Sequence, residues 1–144
     1  MKTVSSAIDI DAPPSRVWAV LTDLAAHPEW NPLFPQASGQ IAVGQRLTLA
    51  SRPTAGRTMT IRPKLLAVQP GAELRWVSSV PGIIGGEHSF ILFILTAVGD
   101  RTRLVQSETF RGLLVPLSGK TITAAEADFA ALNRALKQRV EEQS

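Results

Sequence analysis

Apolar and polar positions alternate over the first strand-length of the chain. Val4, Ile8 and Ile10 share one parity with Ser6 against polar neighbours, and this period of two predicts a half-buried β-strand over residues 4–11. Ala12-Pro13-Pro14-Ser15 then opens a helix. Proline tolerates the first helical turn because its missing N–H has no partner there in any case. Val17, Val20, Leu21 and Leu24 follow at helical spacing, with Trp18 flanking the stripe. Pro28 and Pro32, in His27-Pro28-Glu29-Trp30-Asn31-Pro32, stop the helix.

From about residue 38 the period returns to two. Leu47 and Leu49 alternate with Arg46 and Thr48, Met59 and Ile61 with Thr58, Thr60 and Arg62, and Leu74, Trp76 and Ser78 with Glu73, Arg75 and Val77. Gly44, Pro53, Gly56, Pro70-Gly71 and Pro81-Gly82 bound these runs. His88–Val98 is apolar at both parities, and Gly99-Asp100 turns it into Thr102–Phe110. The pattern predicts an antiparallel meander of about five or six strands with one buried face. Ile122, Ala125, Phe129, Leu132, Leu136 and Val140 then recur at steps of three and four; either Thr123-x-x-Glu126 starts this helix as a capping box, or the helix begins earlier, near Pro116, and is rewound at Gly119. A one-faced sheet and a single long amphipathic helix bury their apolar sides together only if the sheet wraps the helix, an α+β fold.

Composition narrows the chemistry. The 144 residues suit one domain spanning 1–144. No cysteine means no disulfide, thiolate metal site or cysteine nucleophile, and no tyrosine means no phenolic acid or base. With two histidines and no metal-spaced cluster of His, Asp or Glu, neither a metal nor a cofactor is expected. The charged fraction of 19% lies below the usual ~25%, so the chain has more apolar surface to hide or use than most. The net charge is only +3, and the basic residues are spread from Arg16 to Arg139, which argues against a nucleic-acid partner. Arg46, Arg62, Lys64, Arg75 and Arg103 read as a solvated outer face. No apolar run approaches the length of a membrane span, and the N-terminus lacks a signal-peptide core, so a soluble, cytoplasmic protein is expected. Ser118-Gly119-Lys120-Thr121 mimics the end of a phosphate-binding loop, but position 114 is Leu where that motif needs Gly.

The order of elements resembles the helix-grip fold of the SRPBCC, or START–Bet v 1-like, superfamily. Ile10-Asp11-Ala12-Pro13, Val17-Trp18-Ala19-Val20-Leu21-Thr22-Asp23 and Pro28-Glu29-Trp30-Asn31-Pro32 look like the opening signature of its polyketide cyclase/dehydrase-like branch. Glu87-His88-Ser89-Phe90, Gly99–Leu104 and Glu108–Leu114 look like the closing hairpin of that branch. The resemblance implies a cavity between sheet and helix that takes a small hydrophobic ligand. Strand parity then nominates Leu47, Leu49, Met59, Ile61, Leu74, Trp76, His88, Phe90, Leu92, Leu104, Glu108 and Phe110 as inward-facing. Trp30, Phe34, Leu113, Phe129, Leu132 and Leu136 would close the ends.

Two of these residues carry chemistry. Glu108, a carboxylate among apolar neighbours, is expected either to orient a ligand or act as acid/base, or to pair with Arg75 or Arg111. His88, one strand over, is expected to meet it, either as a catalytic pair or as a structural hydrogen bond. His27 reads as a loop residue, and Asn31 as a cap or a ligand donor. The opposite parity of the same strand, Ile91, Phe93 and Leu95, is apolar too, and suggests a homodimer through an exposed face. Three functions follow: a binder of a small hydrophobic or aromatic molecule, a polyketide cyclase or aromatase using the same cavity, and an interaction module.

Overall fold

The computed structural model describes residues 2–52, 54, 58–79, 88–111 and 119–143, without the side chains of residues 2, 79, 88, 89, 110, 111, 119–123 and 125. The chain runs β1 (Lys2–Ile10), α1 (Pro14–Thr22), a short 3-10 helix (Leu24–Glu29), then β2 (Gln36–Ser38), β3 (Thr48–Ser51), β4 (Met59–Ile61), β5 (Lys64–Gln69), β6 (Glu73–Ser79), β7 (His88–Val98), β8 (Arg101–Arg111) and α2 (Gly119–Glu142). A five-stranded antiparallel sheet has the order β1-β8-β7-β6-β5, and a smaller one the order β2-β3-β4. The segment Gly44–Leu47 joins them. Gly44 N–H donates to Leu65 O, Leu65 N–H to Gln45 O and Leu47 N–H to Pro63 O, all within 2.8–2.9 Å. This segment satisfies backbone groups that the edge strand β5 would otherwise present to solvent.

Most of the predicted elements are present. Pro14 is the first residue of α1, and Val17, Val20 and Leu21 are its buried face. Three elements depart from the sequence reading. Pro28 does not end helical structure at once, because the tighter 3-10 winding of Leu24–Glu29 accommodates it. Strand β5 was not foreseen: a register shift between Leu65 and Ala67 breaks its alternation. Helix α2 begins at Gly119, so Thr123 lies inside it and not at its N-terminus.

The hairpin β7–β8 sets the inner face of the sheet. Val98 pairs with Arg101 across the two-residue turn Gly99-Asp100. Gly99 has φ +62° and Asp100 does not have positive φ, the sign pattern of a type II′ turn. The register carries Ile91, Phe93 and Leu95 to the buried side, and Phe90, Leu92 and Ile94 to the other. Phe90 and Leu92 were assigned inward, and here they face outward. Ile91, Phe93 and Leu95 are core residues with 5% exposure or less, so the dimer face expected of them does not exist.

Helix α2 packs against β1 and α1. Phe129, Leu132, Leu136 and Val140 are its buried stripe. Each of the two leucines contributes about 2 kcal/mol through apolar area removed from water. Polar bonds fasten the C-terminal half of the helix: Arg16 donates to Val140 O at 2.9 Å, Lys137 to Asp9 O at 2.9 Å, and Asp11 N–H to the Glu141 carboxylate at 2.8 Å. Lys137 and the Asp11 amide together hold the Glu141 carboxyl below its ordinary range. Among the described residues, no helix is long and apolar enough to cross a membrane.

Candidate functional site

The concave face of the large sheet is built in rows. One runs Val4, Glu108, Ile91, Trp76, Leu65 across five strands. The next runs Ser6, Gln106, Phe93, Leu74, Val68. Glu108 is thus inward and buried, as expected, and it has an interaction partner. His88 pairs in the ladder with Arg111, and Glu108 pairs with Ile91. The expected His88–Glu108 cross-strand pair is therefore not formed, and the His88 side chain lies outside the described residues. So do Leu113 and Ser118 and the side chain of Phe110.

Trp76 sits at the centre of an aromatic cluster. Its ring lies 6.0 Å from Phe34 and 5.5 Å from Phe93, centroid to centroid, both tilted or edge-on. Phe34, Trp76, Phe93 and Leu132 line an interior space with Leu47, Leu49 and Leu74, and its cavity volume is about 10 Å³, the room one water molecule needs. Ile61 packs against this core, while Met59 is half-buried at the edge of the small sheet. Phe129 is buried on α2.

The same space is closed at one end by a histidine that sequence reasoning placed in a loop. His27 is buried. Its Nε2–H donates to Leu21 O at 2.9 Å, and its Nδ1 accepts from Asn31 Nδ2 at 3.3 Å. Asn31 Oδ1 in turn accepts from the N–H groups of Leu33 and Phe34, so Asn31 caps the turn that follows. Trp30 stands edge-on to His27 at 5.0 Å. Burial pushes the His27 pKa below its ordinary 6.5, outweighing the Leu21 carbonyl and Asp23, which act the other way.

Several buried polar atoms have no hydrogen-bond partner among the described residues. They are both amide atoms of Gln106, both of Asn133, and the indole nitrogens of Trp30 and Trp76. Gln106 is fully buried. A buried polar group left unpaired costs about 1–3 kcal/mol. Gln106 and Asn133 were missed in the sequence. Gln106 shares the parity of Leu104 and Glu108, so alternation alone places it inward; Asn133 sits one residue after Leu132 on the buried stripe. Among the described residues, no group of His, Asp and Glu could hold a metal ion.

A family model described as polyketide cyclase/dehydrase and lipid transport matches residues 1–141. The chain belongs to this family. No curated protein matches it in sequence. Among solved structures, this family member is similar to a protein of Mesorhizobium loti at 21% identity and TM-score 0.81, each chain covered to 99%. It is similar to the ZhuI aromatase/cyclase of a Streptomyces species at 19% identity and TM-score 0.77, over 99% of this chain and 94% of that one. A START superfamily protein of Mycobacterium smegmatis matches at 18% identity and TM-score 0.74, with 99% of both chains covered. The architecture is the helix-grip fold that the sequence resemblance implied.

Proposed function

We propose that the protein encloses a small apolar or aromatic molecule between the curved sheet and α2. The observation that carries this reading is the buried Gln106 amide on the concave face, without a hydrogen-bond partner among the described residues. Family membership supports it. The free volume beside Trp76 is too small for more than a water, so a ligand seated at that spot would displace side chains and replace contacts among Trp76, Phe93 and Leu132. The stabilisation comes from burial of the ligand's apolar surface, at about 25 cal/mol per Å². No nucleic-acid partner is proposed: Arg75 and Arg103 on the outer face pair with Glu73 and Asp9.

Native mass spectrometry of protein drawn from its own host tests this. The expected result is a discrete bound mass below about 1 kDa, lost on denaturation. If host extracts yield neither an adduct nor a rise in melting temperature, the reading is wrong.

A second reading is a cyclase of the aromatase type, and the buried Glu108 carboxylate is what favours it. A carboxylate on the concave face could take protons from a poly-ketone chain folded against it. In that case Glu108→Gln abolishes turnover and leaves ligand binding intact.

A further inference from the structure

We infer that the protein docks on an anionic phospholipid surface through Arg46, Arg62 and Lys64, with Val43 and Leu66 as its apolar contacts. Such docking is independent of what the sheet and α2 enclose. Of the five basic residues expected on the outer face, Arg75 and Arg103 pair with acids; among the described residues, Arg46, Arg62 and Lys64 have no ion-pair partner. They nevertheless stand together. Arg46 and Lys64 are cross-strand partners where the Gly44–Leu47 segment runs along β5. The bonds on either side, from Leu47 N–H to Pro63 O and from Leu65 N–H to Gln45 O, make this a non-hydrogen-bonded pair, the kind whose side chains lie closest. Arg62 shares their face: Arg62, Lys64 and Leu66 are exposed, and Pro63 and Leu65 between them are buried. The Arg46 guanidinium donates to Arg62 O at 2.8 Å. Like charges set opposite each other in a ladder are destabilising. A cluster that costs stability and has no acid to relieve it suits an anion from outside.

Two exposed aliphatic side chains decide which anion. Val43 is 62% exposed and Leu66 39%. Gly44 N–H donates to Leu65 O at 2.8 Å, so the backbone carrying Val43 runs beside that carrying Leu66, at the end of the basic row. Cations next to exposed aliphatic groups match the boundary of a bilayer, where phosphates lie next to hydrocarbon. A nucleic acid offers phosphates too, but its bases stack on aromatic rings, and the exposed apolar neighbours here are aliphatic. Three cations and two small apolar contacts make a weak, reversible attachment that salt screens.

Co-sedimentation of the full chain with phospholipid vesicles tests this. Phosphatidylcholine vesicles containing about one third phosphatidylglycerol should bind the protein at about 0.1 M salt and release it at about 0.5 M, and pure phosphatidylcholine vesicles should bind it far less. Arg62→Gln and Lys64→Gln should each weaken binding about fivefold. Val43→Ser should weaken it without changing its salt dependence, because it removes apolar contact and no charge. Arg134→Gln, which removes the same charge from an exposed site on α2, should leave binding unchanged. Equal binding to the two kinds of vesicle, equal losses from Arg134→Gln and Lys64→Gln, an unaffected Val43→Ser variant, or no binding to either vesicle would overturn the inference. So would binding to a short DNA duplex in place of the vesicles, which would assign the cations to a nucleic acid. A bound small molecule is detected separately by mass, so the docking and the enclosure can each fail while the other stands.

Discussion

Asn31 Nδ2 donates to Nδ1 of His27 at 3.3 Å, and that contact fixes the imidazole as the neutral Nε2–H form, since Nε2 donates to Leu21 O. A second proton has no place to go without breaking it. Burial therefore lowers the folded-state pKa below the ordinary 6.5. The unfolded chain binds the proton first as pH falls, so stability is fully present above pH 6.5 and is lost on the way down to the folded-state pKa. Urea unfolding between about pH 7 and about pH 5 should show this decline. His27→Gln should flatten it relative to the parent protein, and an unchanged slope would show that His27 is not its source.

Asn31 also holds the turn that follows. Its Oδ1 accepts from Leu33 N–H at 3.0 Å and Phe34 N–H at 2.8 Å. Asn31→Ala orphans both donors, and should cost about 2–3 kcal/mol in chemical denaturation. Asn31→Asp keeps the two acceptor contacts but presents an acceptor to His27 Nδ1. The histidine pKa, followed by NMR titration, should then move up instead of down.

Gly39 has φ +128°, and a Cβ there would lie 2.9 Å from the Leu47 side chain and 3.1 Å from Arg46 O. Both the backbone conformation and the space require glycine. Gly39→Ala should lower stability by about 1–3 kcal/mol, read as a shifted urea midpoint with unchanged slope. Gly44, with nothing near its Cβ direction, serves as the comparison: there alanine meets only backbone strain.

Thr54 ties the β3–β4 connection to α2. Its N–H donates to Asp128 Oδ2 at 3.0 Å, and its hydroxyl donates to Oδ1 of the same carboxylate. Thr54→Val removes the hydroxyl bond alone and should cost about 1 kcal/mol. Asp128→Ala removes both acceptors and should cost more. Equal losses in the two variants would mean that the backbone contact contributes nothing.

Strands β1, β3, β4, β6 and β8 and both α-helices were legible because their periods are clean. The sequence pattern does not distinguish the two faces of β7, because both its parities are apolar. The turn held the answer. Two residues, Gly99 and Asp100, join the strands, so partners have numbers of opposite parity, and Glu108 must face Ile91. Strand β5 was invisible for a different reason, since the shift at Leu65/Ala67 puts one residue too many into its period. His27 looked like a loop residue because six residues of 3-10 helix interrupted by Pro28 are too short to show a period. Gln106 was readable by parity, but a neutral amide draws less attention than a carboxylate two residues away.

The unpartnered indole of Trp76 makes the protein its own optical reporter. With three tryptophans and no tyrosine, ultraviolet emission comes from tryptophan alone. Trp76 lies buried between Phe34 and Phe93, in apolar surroundings that hold emission at short wavelength. Whatever parts those rings should alter the colour and yield of that light, so a molecule enclosed as proposed can be followed without a dye or a label.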